Sequence, residues 1–233
     1  TRDIAKVKTG RCSYQFACYD DGGMIADGLL LRLTNDKFWF AQGDGHLFSW
    51  YKAHSINLDV EIKDPNVWVS QIQGPKSLKL LNKIVDEPLE SKFNYFDWIE
   101  TSIANENVII SRTGFTNELG WEIYLRPENN SKKIGDLILE RGKEMGMILT
   151  ASPGFRCRRI EAGLLSAGRD FTKDRTPFSV GLGKFIDFDK GEFIGRNFLK
   201  NANKECLTWG MRVEGSYALV DSDILIDNEK VGI

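Results

Sequence analysis

An α+β fold with mostly antiparallel sheets and packed helices is what this sequence predicts, and three observations predict it. Short apolar runs recur in pairs around turn residues. A few segments only carry apolar residues at helical spacing. The two kinds follow no regular strand–helix–strand alternation, which argues against a parallel sheet. The chain's 233 residues, 42% apolar and 11% aromatic, are enough for a real core in one or two domains.

The elements follow in order. Leu29 to Leu33 and Lys37 to Gln42 are apolar runs around Thr34-Asn35-Asp36, a β-hairpin pattern. Asp44 to Ser55 places Leu47, Phe48, Trp50, Tyr51 and His54 closer to helical spacing. Asn66 to Ile72 reads as a strand leading into Gly74-Pro75 and a helix to about Val85, with Pro75 suited to the first turn. Leu78, Leu81, Ile84 and Val85 form that helix's expected buried stripe. Phe93 to Ile103 and Asn107 to Ser111 pair around Asn105-Glu106, and Gly120 to Leu125 makes a further strand. Ser131 is placed to cap a helix to about Gly146, with Ile134, Leu137, Ile138 and Met145 inward. Arg156 to Leu165 is a second short helix. Beyond Pro177 the texture returns to strand, at Leu182 to Phe188 and Leu207 to Val213. A last hairpin turns at Asp227-Asn228. There is no internal repeat.

Composition excludes several classes of function. Thirty-one basic and 33 acidic residues give a net charge of −2 with no charge block, unlike a protein that lives on phosphate backbones. No apolar run approaches the roughly 18 residues of a membrane span. Cys12, Cys18, Cys157 and Cys206 and the histidines His46 and His54 fall into no zinc-ligand spacing, so no metal is expected. Unclustered cysteines suit a reducing compartment. Thr1 is not an initiator methionine and the final hairpin stops short, so both ends read as cuts, and a targeting signal could be lost with the front.

Three stretches carry chemistry. In Tyr14 to Gly28 two glycines make a tight turn, and the return strand carries Asp27 just before an apolar run. A carboxylate there is partly desolvated, a setting for acid–base work; the pattern alone favours an aspartate that caps its own turn. In Ser111 to Tyr124, Glu122 sits on a half-buried strand between Gly114, Gly120 and the apolar Trp121 and Ile123. A buried carboxylate needs N–H donors, which a ligand with two adjacent N–H groups would supply, as would Arg112 or Arg126 across a sheet face. In Arg158 to Asp170 a basic cluster could hold an anionic tail, or pair with Glu161 on its own helix.

In this order and separation the stretches resemble the tetrahydrofolate-dependent aminomethyltransferase superfamily. That family includes glycine cleavage T proteins, the folate domains of dimethylglycine and sarcosine dehydrogenases, and folate-dependent demethylases. Its GGxxDD turn stands here as Gly22-Gly-Met-Ile-Ala-Asp27, and its RTGYTGExGxE as Arg112-Thr-Gly-Phe-Thr-Asn-Glu-Leu-Gly-Trp-Glu122. Its RLEAGL, GxD and TPxxxGL pieces stand as Arg159 to Leu164, Gly168 to Asp170 and Thr176 to Leu182, and its FIGR as Phe193 to Arg196. The resemblance covers nearly the whole chain.

What the resemblance implies can be placed by residue. Asp27 matches the catalytic carboxylate beside the reactive folate nitrogens, and Glu122 the acid that grips the pterin's amino-pyrimidinone edge. Tyr14, Trp39 and Phe115 match aromatic positions lining the folate slot. Tetrahydrofolate is the implied cofactor, receiving on N5 a methyl, methylene or aminomethyl unit from a small-molecule one-carbon donor. A carrier protein or a flavin domain is an open further partner; neither nucleic acid nor membrane is expected. The implied layout is a folate-binding region over 1–176, its front missing, and the truncated start of a C-terminal β-barrel over 177–233. A cytoplasmic location is expected, with a mitochondrial one open. Ala26, Phe115, Asn117 and Phe155 depart from the T-protein pattern and count against strict glycine cleavage, while Asp27-Gly28 after Ala26 and Trp39 look more like the demethylase and dehydrogenase branches. Two other readings are the folate end of a flavin-dependent amine dehydrogenase and a non-catalytic folate-binding protein, though the KGCYxGQ segment of the latter is absent.

Overall fold

The first sheet grows from a tight turn. Strands β1 (Cys12–Cys18) and β2 (Met24–Arg32) pair antiparallel, with Tyr14 opposite Leu29 and Phe16 opposite Asp27. Gly22 takes the left-handed φ of +76° that the turn requires, and Asp21 Oδ1 accepts the Gly23 N–H at 3.0 Å. β3 (Phe38–Ala41) follows through a turn closed by Thr34, whose hydroxyl accepts the Lys37 N–H at 3.1 Å. The order is β1-β2-β3. The computed structural model describes residues 1–233 apart from positions 44, 90–92, 151, 206, 216, 217 and 220 and the side chains at 152 and 153. Asp44, where the first helix pattern begins, and Cys206 therefore lie outside the described residues.

After α1 (Leu47–His54), a second antiparallel sheet forms from β4 (Trp68–Gln73), β5 (Trp98–Ile103), β6 (Glu106–Ser111) and β7 (Gly120–Leu125). Its order, β4-β7-β6-β5, puts β7 in the interior. The β5–β6 turn has positive φ at both Ala104 and Asn105, and Asp86 accepts both of their N–H groups. Strand alternation gives this sheet two apolar faces. One, with Ile72, Ile110, Trp121 and Ile123, packs under α2 (Ser77–Ile84) and α3 (Ser131–Lys143) through Leu80, Leu81, Ile84 and Ile134. The other, with Trp98, Ile109 and Tyr124, meets Cys12 and Leu31 of the first sheet, with Leu29 and Trp39 at the edge. A third core joins Phe16, Cys18 and Met24 to Phe171, Val180, Leu182, Ile186 and Leu199. The face of β1 thus changes partner between Cys12 and Phe16.

The predicted elements up to Leu125 are present, with shifts in detail. Leu80 rather than Leu78 is buried in α2; Leu78 packs at its margin. β5 begins at Trp98, five residues after the expected start, because Phe96 has a left-handed φ of +67° that breaks an extended run. Asn130, not Ser131, caps α3: its side chain accepts the Lys133 N–H. The second short helix, α4, spans Ser152–Glu161 and ends before Gly163, whose φ is +69°.

The largest corrections fall beyond Pro177. Leu182 to Phe188 is no strand but a turn of 3-10 helix at Gly183–Phe185, because Leu182 and Ile186 both point into one core instead of pairing along a ladder. α5 (Arg196–Asn201) has no counterpart in the expectation. Leu207 to Val213 forms no strand: it pairs with nothing in any sheet, and Trp209 is 79% exposed. The final hairpin is present as β8 (Ile224–Ile226) and β9 (Glu229–Gly232), turning at Asp227 and Asn228, but the described residues close no barrel. Among the described residues no helix is long and apolar enough to cross a membrane.

One close approach fixes two glycines. The Gln73 amide, held by a 2.7 Å bond from the Thr116 hydroxyl, lies where side chains at 114 and 120 would go. A Cβ on Gly120 would stand 2.1 Å from Gln73 Oε1, and one on Gly114 2.4 Å from Nε2. Gly120→Ala is therefore expected to cost about 1–3 kcal/mol in urea unfolding. Combined with Gln73→Ser the loss should be clearly less than additive; simple additivity would show that the amide is not the obstacle.

Candidate functional site

The site is set by which residues alternate onto the face of the second sheet that meets the first. Glu122 on β7 lies opposite Gln71 on β4 and opposite Ser111 on β6, so one row across the sheet is polar. Glu122 Oε1 accepts from Gln71 Nε2 at 2.8 Å, and Oε2 accepts from the hydroxyls of Thr113 and, at 3.3 Å, Tyr124. The Thr113 hydroxyl is shared with that of Ser111. Gln71 Oε1, by contrast, is buried with no hydrogen-bond partner.

Electrostatics follow from this enclosure. Burial raises the Glu122 carboxyl above the ordinary carboxylate range, and bonds from Thr113, Tyr124 and Gln71 offset only part of that. Burial, and next the Glu122 charge, push the Tyr124 phenol well up, so it stays a donor. The Cys12 thiol is raised chiefly by burial, then by Glu122, and is inert as a nucleophile.

A second polar centre lies on the first sheet. Tyr14 and Asp27 occupy one face of neighbouring strands on a diagonal, and the Tyr14 hydroxyl donates to Asp27 Oδ2 at 2.6 Å. Burial and the Asp27 charge raise the phenol far above its ordinary value. The turn before Asp27 is closed by Asp21. Trp39, on β3 opposite Leu31, shares the sheet face of Tyr14 and Asp27, and its ring lies 6.2 Å from that of Tyr124, with the Arg126 guanidinium 5.5 Å above it.

Four of the five singled-out residues lie on the facing sides of the two sheets, Tyr14, Asp27 and Trp39 on the first and Glu122 on the second. Phe115 does not; it lines a separate opening of about 380 Å³ with Phe155, Arg156, Arg159 and Arg169. The ion-pair alternative for Glu122 is not realised, since Arg112 donates to the Phe93 carbonyl at 2.7 Å and Arg126 to Glu100 at 2.9 Å. The helix alternative for the basic cluster is realised in part, with Arg158 pairing with Glu161 at 3.3 Å. Sequence reasoning missed Gln71, Thr113 and Tyr124. A glutamine on the apolar strand Trp68–Gln73 was the available signal, but register with β7 is not written in either strand alone.

The family model of the GCVT N-terminal domain matches residues 1–190, which contain all of these side chains. This chain belongs to the GCVT N-terminal domain family. It is similar to proteins named aminomethyltransferase from Halalkalibacterium halodurans (29% identical, 100% of this chain and 66% of that protein) and Caldanaerobacter subterraneus (31%, 100% and 64%). A third, from Halothermothrix orenii, is 32% identical over 89% of this chain and 59% of the relative. The chain spans less than two thirds of the length of each of these three relatives. In fold it is similar to the glycine cleavage system aminomethyltransferase T of Bartonella henselae, with a TM-score of 0.75 and 22% identity over 84% of this chain and 54% of that one.

Within this GCVT domain one departure has a structural reason. Asn117, where the resembling motif has glycine, adopts a left-handed φ of +56°, a region asparagine tolerates better than most residues. The raised Glu122 gives a pH prediction. A carboxyl raised on folding favours the folded state fully below its unfolded pKa of about 4.5 and loses that contribution as pH rises through the raised value. Glu122→Gln is therefore expected to unfold at the same or a higher temperature than wild type near neutral pH, with the difference shrinking toward pH 4. A variant less stable at pH 7 than at pH 4, relative to wild type, would contradict this.

Proposed function

We propose that this domain binds tetrahydrofolate and serves transfer of an aminomethyl-derived one-carbon unit onto it. The observation that carries the reading is Glu122: a buried carboxylate answered by no cation, holding three donors where a carboxylate offers about four acceptor positions. A ligand with adjacent N–H donors fits that vacancy, and the amino-pyrimidinone edge of a pterin has them. The relatives named aminomethyltransferase support the choice of transferred group.

In this reading four of the residues have distinct tasks. Glu122 anchors the ligand's donor edge, and Trp39 offers a flat wall for its ring. Asp27 takes up or returns the proton at the reacting nitrogen, with Tyr14 fixing its carboxylate by the 2.6 Å bond. Tetrahydrofolate supplies the nitrogen that receives the one-carbon unit. Tyr14, raised far out of range, donates to Asp27 at every working pH and does not compete as a base. Phe115 lines the separate opening beside α4 and has no task in this reading. The donor is a small aminomethyl compound, free or held by a carrier protein.

Calorimetry on the full-length protein tests this. Tetrahydrofolate should bind, and Glu122→Gln should weaken binding at least about tenfold, ~1.4 kcal/mol, by removing the charged acceptor. Asp27→Asn should keep most of the affinity while losing most of the transfer rate. A folded wild type that does not bind tetrahydrofolate would sink the proposal.

A further inference from the structure

We infer that Gln71 is a specificity residue of this site, its side-chain oxygen accepting a hydrogen bond from the exocyclic amino group of the bound amino-pyrimidinone. The inference rests on the folate reading above. Gln71 is opposite Glu122 in register, and its Nε2 is committed to Glu122 Oε1 at 2.8 Å. That bond fixes the amide's orientation, because a reversed amide would set a carbonyl oxygen against a carboxylate oxygen. Oε1 is thereby turned away from Glu122, and it is buried without a partner.

A buried acceptor left unpaired keeps its desolvation cost and gains nothing in return, so it marks a place where a donor arrives. The other orphaned amide on this face, Gln73 Nε2, is a donor enclosed by Gly114 and Gly120. Gln71 Oε1 is the orphaned acceptor that shares an amide with a bond to the anchoring carboxylate. Together, the free acceptor position on Glu122 and Gln71 Oε1 are two acceptors on residues joined by one hydrogen bond. Their complement is a ring N–H next to an amino group. Pterins and guanine share that edge, so the recognition is of the edge, and the rest of the slot selects between the two.

The test is a cycle of two proteins and two ligands. Wild-type and Gln71→Met full-length proteins are titrated with tetrahydrofolate and with its 2-desamino-2-methyl analogue, which keeps the ring N–H and lacks the amino group. Wild type is expected to prefer the amino compound by about tenfold, and Gln71→Met to reduce that preference to about twofold or less. If Gln71 acts only by holding Glu122, both ligands weaken alike and the preference is unchanged, which would overturn the inference. Gln71→Asn, which keeps the amide but draws it back, reads the same ratio if the methionine variant does not fold. Wild type that binds neither folate would overturn the folate reading, and binding of guanosine in its place would assign the edge to a purine.

Discussion

A carboxylate on the inner face of an antiparallel sheet has to be met by donors, and much of this molecule is arranged around that need. Glu122 lies on β7, an interior strand, so its neighbours come from strands on both sides. β4 supplies Gln71, the turn after β6 supplies Thr113, and β7 itself supplies Tyr124. None of these is a cation. An arginine would have satisfied the carboxylate alone and closed the site; three neutral donors leave it raised in pKa and able to accept another.

The two sheets are joined through the residues that frame this group. Tyr124 belongs at once to the polar row, by its hydroxyl, and to the apolar cluster of Cys12, Leu31, Trp98 and Ile109, by its ring. Along β1 the same face runs from Cys12 to Tyr14 to Phe16, leaving the sheet–sheet core for the one built with Phe171 and Leu182. Tyr14 and Asp27 sit at that change of partner. Tyr14 packs at the margin of the third core rather than in its interior, and its hydroxyl is spent on Asp27. A packing boundary and a polar site coincide there.

How much of this was legible in the sequence depends on whether the signal was local. The turn before Asp27, the β5–β6 hairpin (expected one residue later, at Asn105-Glu106) and most of the stripe of α2 are written in neighbouring residues, and the structure has them. Asp27 and Glu122 stood out as carboxylates inside apolar strands. Their partners did not, because Gln71 and Glu122 are 51 residues apart and meet only through strand register. Beyond Pro177 the apolar residues Leu182 and Ile186 looked like a strand because they are spaced as one could be; they serve a core through a tight turn instead. Apolar content marks burial more surely than it marks the backbone conformation that achieves it.

The basic segment shows the same distinction at the level of charge. Arg158 and Arg159 are adjacent, yet on a helix adjacent side chains face different directions. Arg158 reaches outward to Glu161, an exposed pair worth little. Arg159, 5% exposed, turns inward to Asp170 and the Leu164 carbonyl, and Asp170 also accepts the Ser166 N–H. That half-buried pair ties the loop after α4 back to its helix, with Arg159 its buried member. Arg159 also borders the opening that Phe115 lines with Arg156 and Arg169. The residue that reads in the sequence as one more surface charge is therefore a buried structural group at the edge of that opening.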